Sequence, residues 1–216
     1  MKRIVLTMIA LGLPLVFGGP AMARHSGPYV GVFLGGSALL DARSTDSQGD
    51  FRLAFDPGLL GSAVAGWDFE PGNPVGEGRI ELEYTHRGNS LDKVTFVDGG
   101  FKGDGSLSAD SLLLNMFGVF RDGRSWAPYA GIGIGAARME ASGLKVTGQP
   151  LGSGTSVVFA YQVGTGIDVA LTDMLSIDLG YRFLGTSRPK FTEANGQSFS
   201  IGYFSHSAVL GLRLGF

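Results

Sequence analysis

Eight stretches of this chain alternate between apolar and non-apolar residues, the spacing of a β-strand whose two faces meet different surroundings. In the first, Tyr29 to Leu40, one face carries Val30, Val32, Leu34, Ala38 and Leu40. In the second, about Ser62 to Phe69, it carries Ala63, Ala65, Trp67 and Phe69. The third, Arg79 to Arg87, sets Ile80, Leu82 and Tyr84 against Arg79, Glu81 and Glu83. The others run from Ser111 to Arg121, Trp126 to Met139, Val157 to Leu171, Leu175 to Phe183, and His206 to Phe216. Connections after the even-numbered stretches are short (Glu70 to Gly78, Asp122 to Ser125, Thr172 to Met174). Those after the odd-numbered ones are long, polar and glycine-rich; the longest runs from Gly88 to about Asp110, and the last contains the turn signal Asn195-Gly196. The expected fold class is all-β: a single eight-stranded antiparallel up-and-down barrel that crosses a membrane, its short turns on one side and its long loops on the other.

The start of the chain says how it reaches a membrane. Lys2 and Arg3 precede an uncharged stretch from Ile4 to Phe17, then Gly18, Gly19 and Pro20, then Ala21-Met22-Ala23. This is the layout of a secretory signal, so residues 1–23 are expected to be cleaved and residues 24–216 to form the barrel. No later stretch is apolar and long enough for a spanning helix. Composition removes other classes. The 216 residues include 36 Gly without a Gly-X-Y period, no Cys, and 17 basic against 19 acidic residues. A disulfide scaffold, a thiolate metal site and a basic face for nucleic acid are excluded.

Alternation defines two faces but not which one meets lipid. The face opposite the apolar one holds Gly31, Gly35, Gly131, Gly133, Gly164, Gly166, Gly180 and Gly211, with the long charged residues Arg79, Glu81, Glu83, Arg121, Asp168, Asp178, Arg182 and Arg213. Four positive and four negative groups can pair inside a narrow barrel, where small neighbours leave them room. Aromatics on the apolar face sort by height. Trp67, Phe69, Phe120, Trp126 and Phe216 fall at the short-turn end, and Tyr84, Phe159, Tyr161, Tyr181 and Phe183 at the other, as two interfacial girdles require. A soluble pocket would turn the apolar face inward instead, and would not sort aromatics by height.

Several segments then carry a family resemblance. Arg79-Ile-Glu-Leu-Glu-Tyr84, Pro128-Tyr-Ala-Gly-Ile-Gly-Ile-Gly135, Tyr161-Gln-Val-Gly-Thr-Gly-Ile-Asp168 and Leu179-Gly-Tyr-Arg-Phe183 resemble the small outer-membrane β-barrel family, which includes OmpA-like and Opa-like surface proteins. The end of the chain, with Leu210, Leu212, Leu214 and Phe216 in alternation, is similar to the closing strand that the barrel-assembly machinery reads in such proteins. Leu214 departs from it, because an aromatic is common there. The resemblance implies a Gram-negative outer membrane and contact with its lipid and lipopolysaccharide. It also implies loops that meet an unidentified extracellular partner as adhesins or antigens.

Motifs for other chemistry are poor. Gly131-Ile-Gly133-Ile-Gly-Ala136 lies within a strand pattern rather than before a helix, so no cofactor is expected. His25, His86 and His206 lack metal-ligand spacing, and Asp98, Asp104 and Asp110 lack that of a calcium loop. The resemblance also reaches barrels that deacylate lipid A with a His and a Ser two residues apart. Here His206 and Ser207 are adjacent, and alternation sends them to opposite faces. No catalytic residue, cofactor or metal is therefore expected. The expected role is structural or surface display, with the lumen plugged by salt bridges. A narrow solute channel, a lipid A-modifying enzyme and a soluble carrier are the alternatives. Leu91, Val94, Phe96, Val97 and Phe101 in the longest connection are read as a continuation of its hairpin, with packing over the mouth or contact with a partner as the alternatives.

Overall fold

The computed structural model describes residues 26–40, 42–46, 49–69, 77–96, 99–193 and 198–216. The expected signal segment, His25, Val97, Asp98 and the Asn195-Gly196 turn lie outside the described residues. The described residues form twelve antiparallel strands: β1 (Gly27–Leu39), β2 (Ala42–Asp46), β3 (Gly49–Phe55), β4 (Gly58–Phe69), β5 (Gly78–Phe96), β6 (Gly99–Val119), β7 (Trp126–Val146), β8 (Gln149–Ala170), β9 (Leu175–Thr186), β10 (Lys190–Glu193), β11 (Ser198–Ile201) and β12 (Phe204–Gly215). Among the described residues no helix is long and apolar enough to cross a membrane.

The lower ring runs β1-β4-β5-β6-β7-β8-β9-β12 and closes where β12 pairs with β1. Register gives its dimensions. From Tyr29 the partners are Gly66, Glu81, Asn115, Gly133, Gln162, Leu184 and Ser205, and the path returns to β1 at Leu39. That is a shear of ten residues over eight strands, which sets the strand tilt at about 41° and the backbone radius at about 8 Å. A cylinder this narrow is filled by its own side chains.

A second ring of eight stands on the first. β5, β6, β7 and β8 continue upward without a break, while β3, β2, β11 and β10 continue the staves of β4, β1, β12 and β9. The 22 residues of β8 reach about 55 Å along the barrel axis at ~3.3 Å per residue and this tilt, roughly twice the ~25 Å apolar band of an outer-membrane barrel. The connections read as loops are thus largely strand. β5 and β6 pair as far as Phe96 opposite Gly99, which covers most of the stretch from Gly88 to Asp110.

The two storeys have opposite interiors. In the lower one Val32, Leu34, Leu114, Met116, Ile132, Ile134, Leu179 and Leu212 face outward and are exposed, while Arg79, Glu81, Asp178 and Arg213 point inward and are buried. In the upper one Leu53, Leu91, Val94, Leu107, Met139 and Leu144 form a buried apolar core, and Asp104, Arg138 and Lys145 face out. Lipid requires the first arrangement and water the second.

Candidate functional site

The lower lumen holds the residues that could conduct, react or plug. Arg79 is at its centre, fully buried on β5. Its Nε lies 2.7 Å from Glu81 Oε1, its Nη2 3.1 Å from Asp178 Oδ2 and its Nη1 3.8 Å from Asp168 Oδ2. The guanidinium also sits 4.1 Å from the ring centre of Tyr129. Arg213 pairs with Asp168 and lies 3.4 Å from Asp178 Oδ2. Tyr29 and Tyr129 donate their hydroxyls to Glu81 Oε1 and Asp178 Oδ1, each at 2.6 Å. Each phenol adds a donor to a buried carboxylate that an arginine also faces, Glu81 Oε1 taking both Tyr29 and Arg79.

A second layer sits above. Glu83 Oε2 accepts from Asn115 Nδ2 at 2.8 Å and from Gln162 Nε2 at 3.1 Å, and lies 3.8 Å from Arg182 Nε. Thr85 Oγ1 donates to Glu83 Oε1 at 2.8 Å. Arg87 donates to Ser111 Oγ at 2.8 Å and to Gln162 Oε1 at 3.4 Å. Higher still, Ser37 and Ser205 share a hydrogen bond of 2.8 Å, and the apolar core of the upper storey follows directly.

Seven of the eight charged residues singled out in the sequence thus come together: Arg79, Glu81, Glu83, Asp168, Asp178, Arg182 and Arg213. Arg121 does not. β6 ends at Val119, so Arg121 lies past the strand at the short-turn rim, where it pairs with Asp68. Arg87 stands in its place as the fourth buried cation. Sequence reasoning missed Tyr29, Tyr129, Asn115 and Gln162 as network members. The signal available was inward parity, since each is long, polar-tipped and on the glycine-rich face.

Glycines give this layer its room. A Cβ on Gly180 would stand 2.6 Å from the Tyr129 hydroxyl and 2.9 Å from Arg182 Nη1, and one on Gly166 would meet the Leu179 carbonyl at 2.5 Å. What space remains is small. A cavity of about 40 Å³ opens at the short-turn mouth beside Tyr29, Asp68, Asp168 and Arg213, and one of about 10 Å³ lies among Phe33, Ser62, Glu83, Arg87 and Arg182. The second is about the least that holds one water.

On the outer wall, Trp67, Phe120 and Phe216 are exposed at the short-turn end, with Phe69 and Trp126 half-buried. Tyr84, Phe159, Tyr161 and Tyr181 are exposed at the other end, with Phe183 half-buried. Phe204 and His206 join this upper set, packed on Phe183 at 6.2 and 5.2 Å. Leu210, Leu212, Leu214 and Phe216 face outward along β12. The Gly131 to Ala136 motif is mid-strand in β7. Ser207 is buried while its neighbour His206 faces out, and Asp110 accepts from Tyr84 at 2.8 Å and contacts His86 at 2.8 Å.

The profile of the outer membrane protein beta-barrel domain matches residues 9–204. The chain belongs to that family. As an outer membrane protein beta-barrel domain it resides in the outer membrane. Among solved structures it is similar to Neisserial surface protein A, with a TM-score of 0.52 and 17% identity over 88% of this chain and 98% of that one. The outer membrane protein OprG from Pseudomonas aeruginosa is also similar, with a TM-score of 0.57 and 11% identity over 92% of this chain and 100% of that one. The outer membrane protease OmpT from Escherichia coli reaches a TM-score of 0.48 at 9% identity, over 88% of this chain and 97% of that one. A comparison with curated proteins finds no match. The identities show this domain's fold and leave its role to the site itself.

Proposed function

We propose that this outer-membrane barrel is a closed scaffold that displays its upper storey on the cell surface. The observation that carries this is a lumen blocked at two levels, first by the arginine–carboxylate layers and then by the apolar core under Leu107 and Met139. Buried ion pairs in a narrow cylinder hold the staves at fixed separation. A second closed ring gives the exterior a rigid shape that loops alone would not have. In this reading residues 1–23 are removed on export, the short turns face the periplasm, and the C-terminal strand is read by the barrel-assembly machinery. The two aromatic girdles anchor the wall in lipid and lipopolysaccharide. The upper rim meets an extracellular partner, and the protein is not an enzyme. The opposed orientations of His206 and Ser207 support that last point, because both serines of β12, Ser205 and Ser207, are buried on the inward face while His206 faces out.

Planar-bilayer recording tests the reading. Silence is expected from the wild type, with leakage appearing when Glu81→Gln and Glu83→Gln, which release the arginines, are combined with Leu107→Ala and Met139→Ala, which open the apolar core above them. Stable single-channel steps from the wild type would replace the closed scaffold with a narrow solute channel.

A further inference from the structure

The apolar run on the outward face of each stave has an upper end, and these ends are not level around the barrel. Heights follow from the register. At a strand tilt of about 41° a residue rises about 2.5 Å along its stave, and each step to a paired neighbour, taken from β1 towards β4, climbs about 3 Å. Counted in this way from Tyr29, His86 on β5 and Tyr161 on β8 both stand at about 18–19 Å. Their surroundings differ. On β5 the apolar run ends below His86, at Tyr84, and on β6 it ends at Leu112, below Asp110. On β8 it continues above Tyr161 through Phe159 and Val157, which are 55% and 72% exposed, and on β12 it reaches Phe204.

Polar groups inside the taller runs are met by the wall itself. Thr165 Oγ1 donates to the Tyr129 carbonyl at 2.8 Å, and His206 Nδ1 lies 2.5 Å from the Tyr181 hydroxyl. On the shorter side, His86 Nδ1 and the Tyr84 hydroxyl both meet Asp110 Oδ1 at 2.8 Å, yet the His86 and Asp110 side chains stay 57% and 31% exposed. The lower ends are level: Phe69, Phe120, Trp126 and Phe216 fall within about 3 Å of one height. A tilted barrel would offset both ends, so tilt does not account for the difference. The apolar wall is about 20 Å tall from Phe120 to Leu112 and about 35 Å tall from Leu171 to Val157, on either side of the ~25 Å usual for an outer-membrane barrel.

We infer that the leaflet beside the upper storey meets this wall at a step, about 10 Å lower along β5 and β6 than along β8 and β12. Lipid bends readily to match a short or a tall apolar wall. A flat leaflet would hold either the His86–Asp110 pair in hydrocarbon or Phe159 and Val157 in water, and a step removes both costs together. The surface fits the bilayer as a whole and calls for no particular headgroup. The inference rests on the lower storey crossing a bilayer, and not on which storey faces the cell exterior.

The test uses the full-length folded protein in phosphatidylcholine vesicles. The chain has no Cys, so single cysteines carry a nitroxide label without background. Leu112→Cys on β6 and Tyr161→Cys on β8 stand within about 2 Å of each other in height. A flat leaflet therefore gives the two labels equal access to a water-soluble nickel reagent and to oxygen. The step gives the label on Leu112→Cys severalfold more collisions with nickel, and the label on Tyr161→Cys more with oxygen. Adding His86→Leu/Asp110→Leu to Leu112→Cys should bring its reading to that of Tyr161→Cys. Adding Val157→Asn/Phe159→Asn to Tyr161→Cys should do the reverse. All of these are changes on the outer wall, and a folded-barrel gel shift checks each variant. Equal readings from the two single labels, or readings that neither double change moves, would overturn the step. So would a label on Leu112→Cys shielded from both reagents, the mark of a second copy of the chain on that face.

Discussion

Arg79 and Glu81 are two residues apart on β5, share its inward face, and meet at 2.7 Å between Nε and Oε1 with no exposure of either side chain. Neighbours of this kind are what a period of two produces inside a barrel. Because Glu81 also accepts the Tyr29 hydroxyl, neutralising it weakens the acceptor of two buried donors and leaves the lumen with one positive charge in excess. Glu81→Gln should therefore cost about 3–5 kcal/mol, the usual effect of breaking a buried pair from one side. The double change Arg79→Met/Glu81→Leu should cost clearly less. Urea unfolding in lipid vesicles measures both, and a single-variant loss under about 1 kcal/mol would remove the network from the account of stability.

Tyr129 makes a second check on the same layer. Its hydroxyl is held by Asp178 at 2.6 Å and accepts from Arg182 Nη1 at 3.0 Å, so it cannot swing away from an added methyl on Gly180. Gly180→Ala should destabilise by about 1–3 kcal/mol through overpacking. Adding Tyr129→Phe deletes the nearest clashing atom and frees Arg182 Nη1, the next nearest, from its bond to that hydroxyl, so the pair should cost less than the sum of the singles. Strict additivity in a double-mutant cycle would show that the contact does not set the spacing.

The upper storey predicts a local effect. Leu107 and Met139 are buried in its core and lie above the ion pairs. Leu107→Ala or Met139→Ala should cost about 2–5 kcal/mol as a cavity opens, felt mainly in that storey. Limited trypsin digestion should then cut faster at the exposed Lys102 and Lys145, while the gel shift of the folded lower barrel persists. Unchanged cleavage would mean the two storeys unfold together.

These residues also show where the sequence stops being readable. In the spanning storey Val30, Val32 and Leu34 oppose Gly31, Phe33 and Gly35, and lipid against lumen makes the two faces chemically distinct. Above it the outside is wet and the inside apolar, so the greasy residues change face without a change of period. Bulges then break the period itself. Leu91 and Val94 both point inward although three residues apart, because the register shifts between Ser90 and Lys93. Ala141 and Leu144 do the same across the shift on β7. A window that counts alternation therefore ends there and reads a loop. Arg121 fails for the opposite reason, since its parity continues past the point where β6 stops.

A final prediction concerns the level at which four neighbouring staves are interrupted. β4, β1, β12 and β9 all end at one height, and β5 runs past the gap. Asn89, buried on β5, reaches across with its Nδ2, donating to Ser37 O at 3.1 Å and Asp56 O at 3.0 Å. Those carbonyls sit at the β1 end and at the break between β3 and β4, so one amide fastens two discontinuous staves to a continuous one. Asn89→Leu keeps approximate volume and removes the donor. It should cost about 1–3 kcal/mol, because two carbonyls near the gap lose a partner. Hydrogen exchange should accelerate at the Leu40 and Asp56 amides, which bond to Phe204 O and Ser90 O beside the gap. Amides of Leu114 and Ile134, deep in the unbroken staves, should keep their protection. Acceleration spread evenly over all eight staves would mean that Asn89 supports the whole barrel rather than this junction.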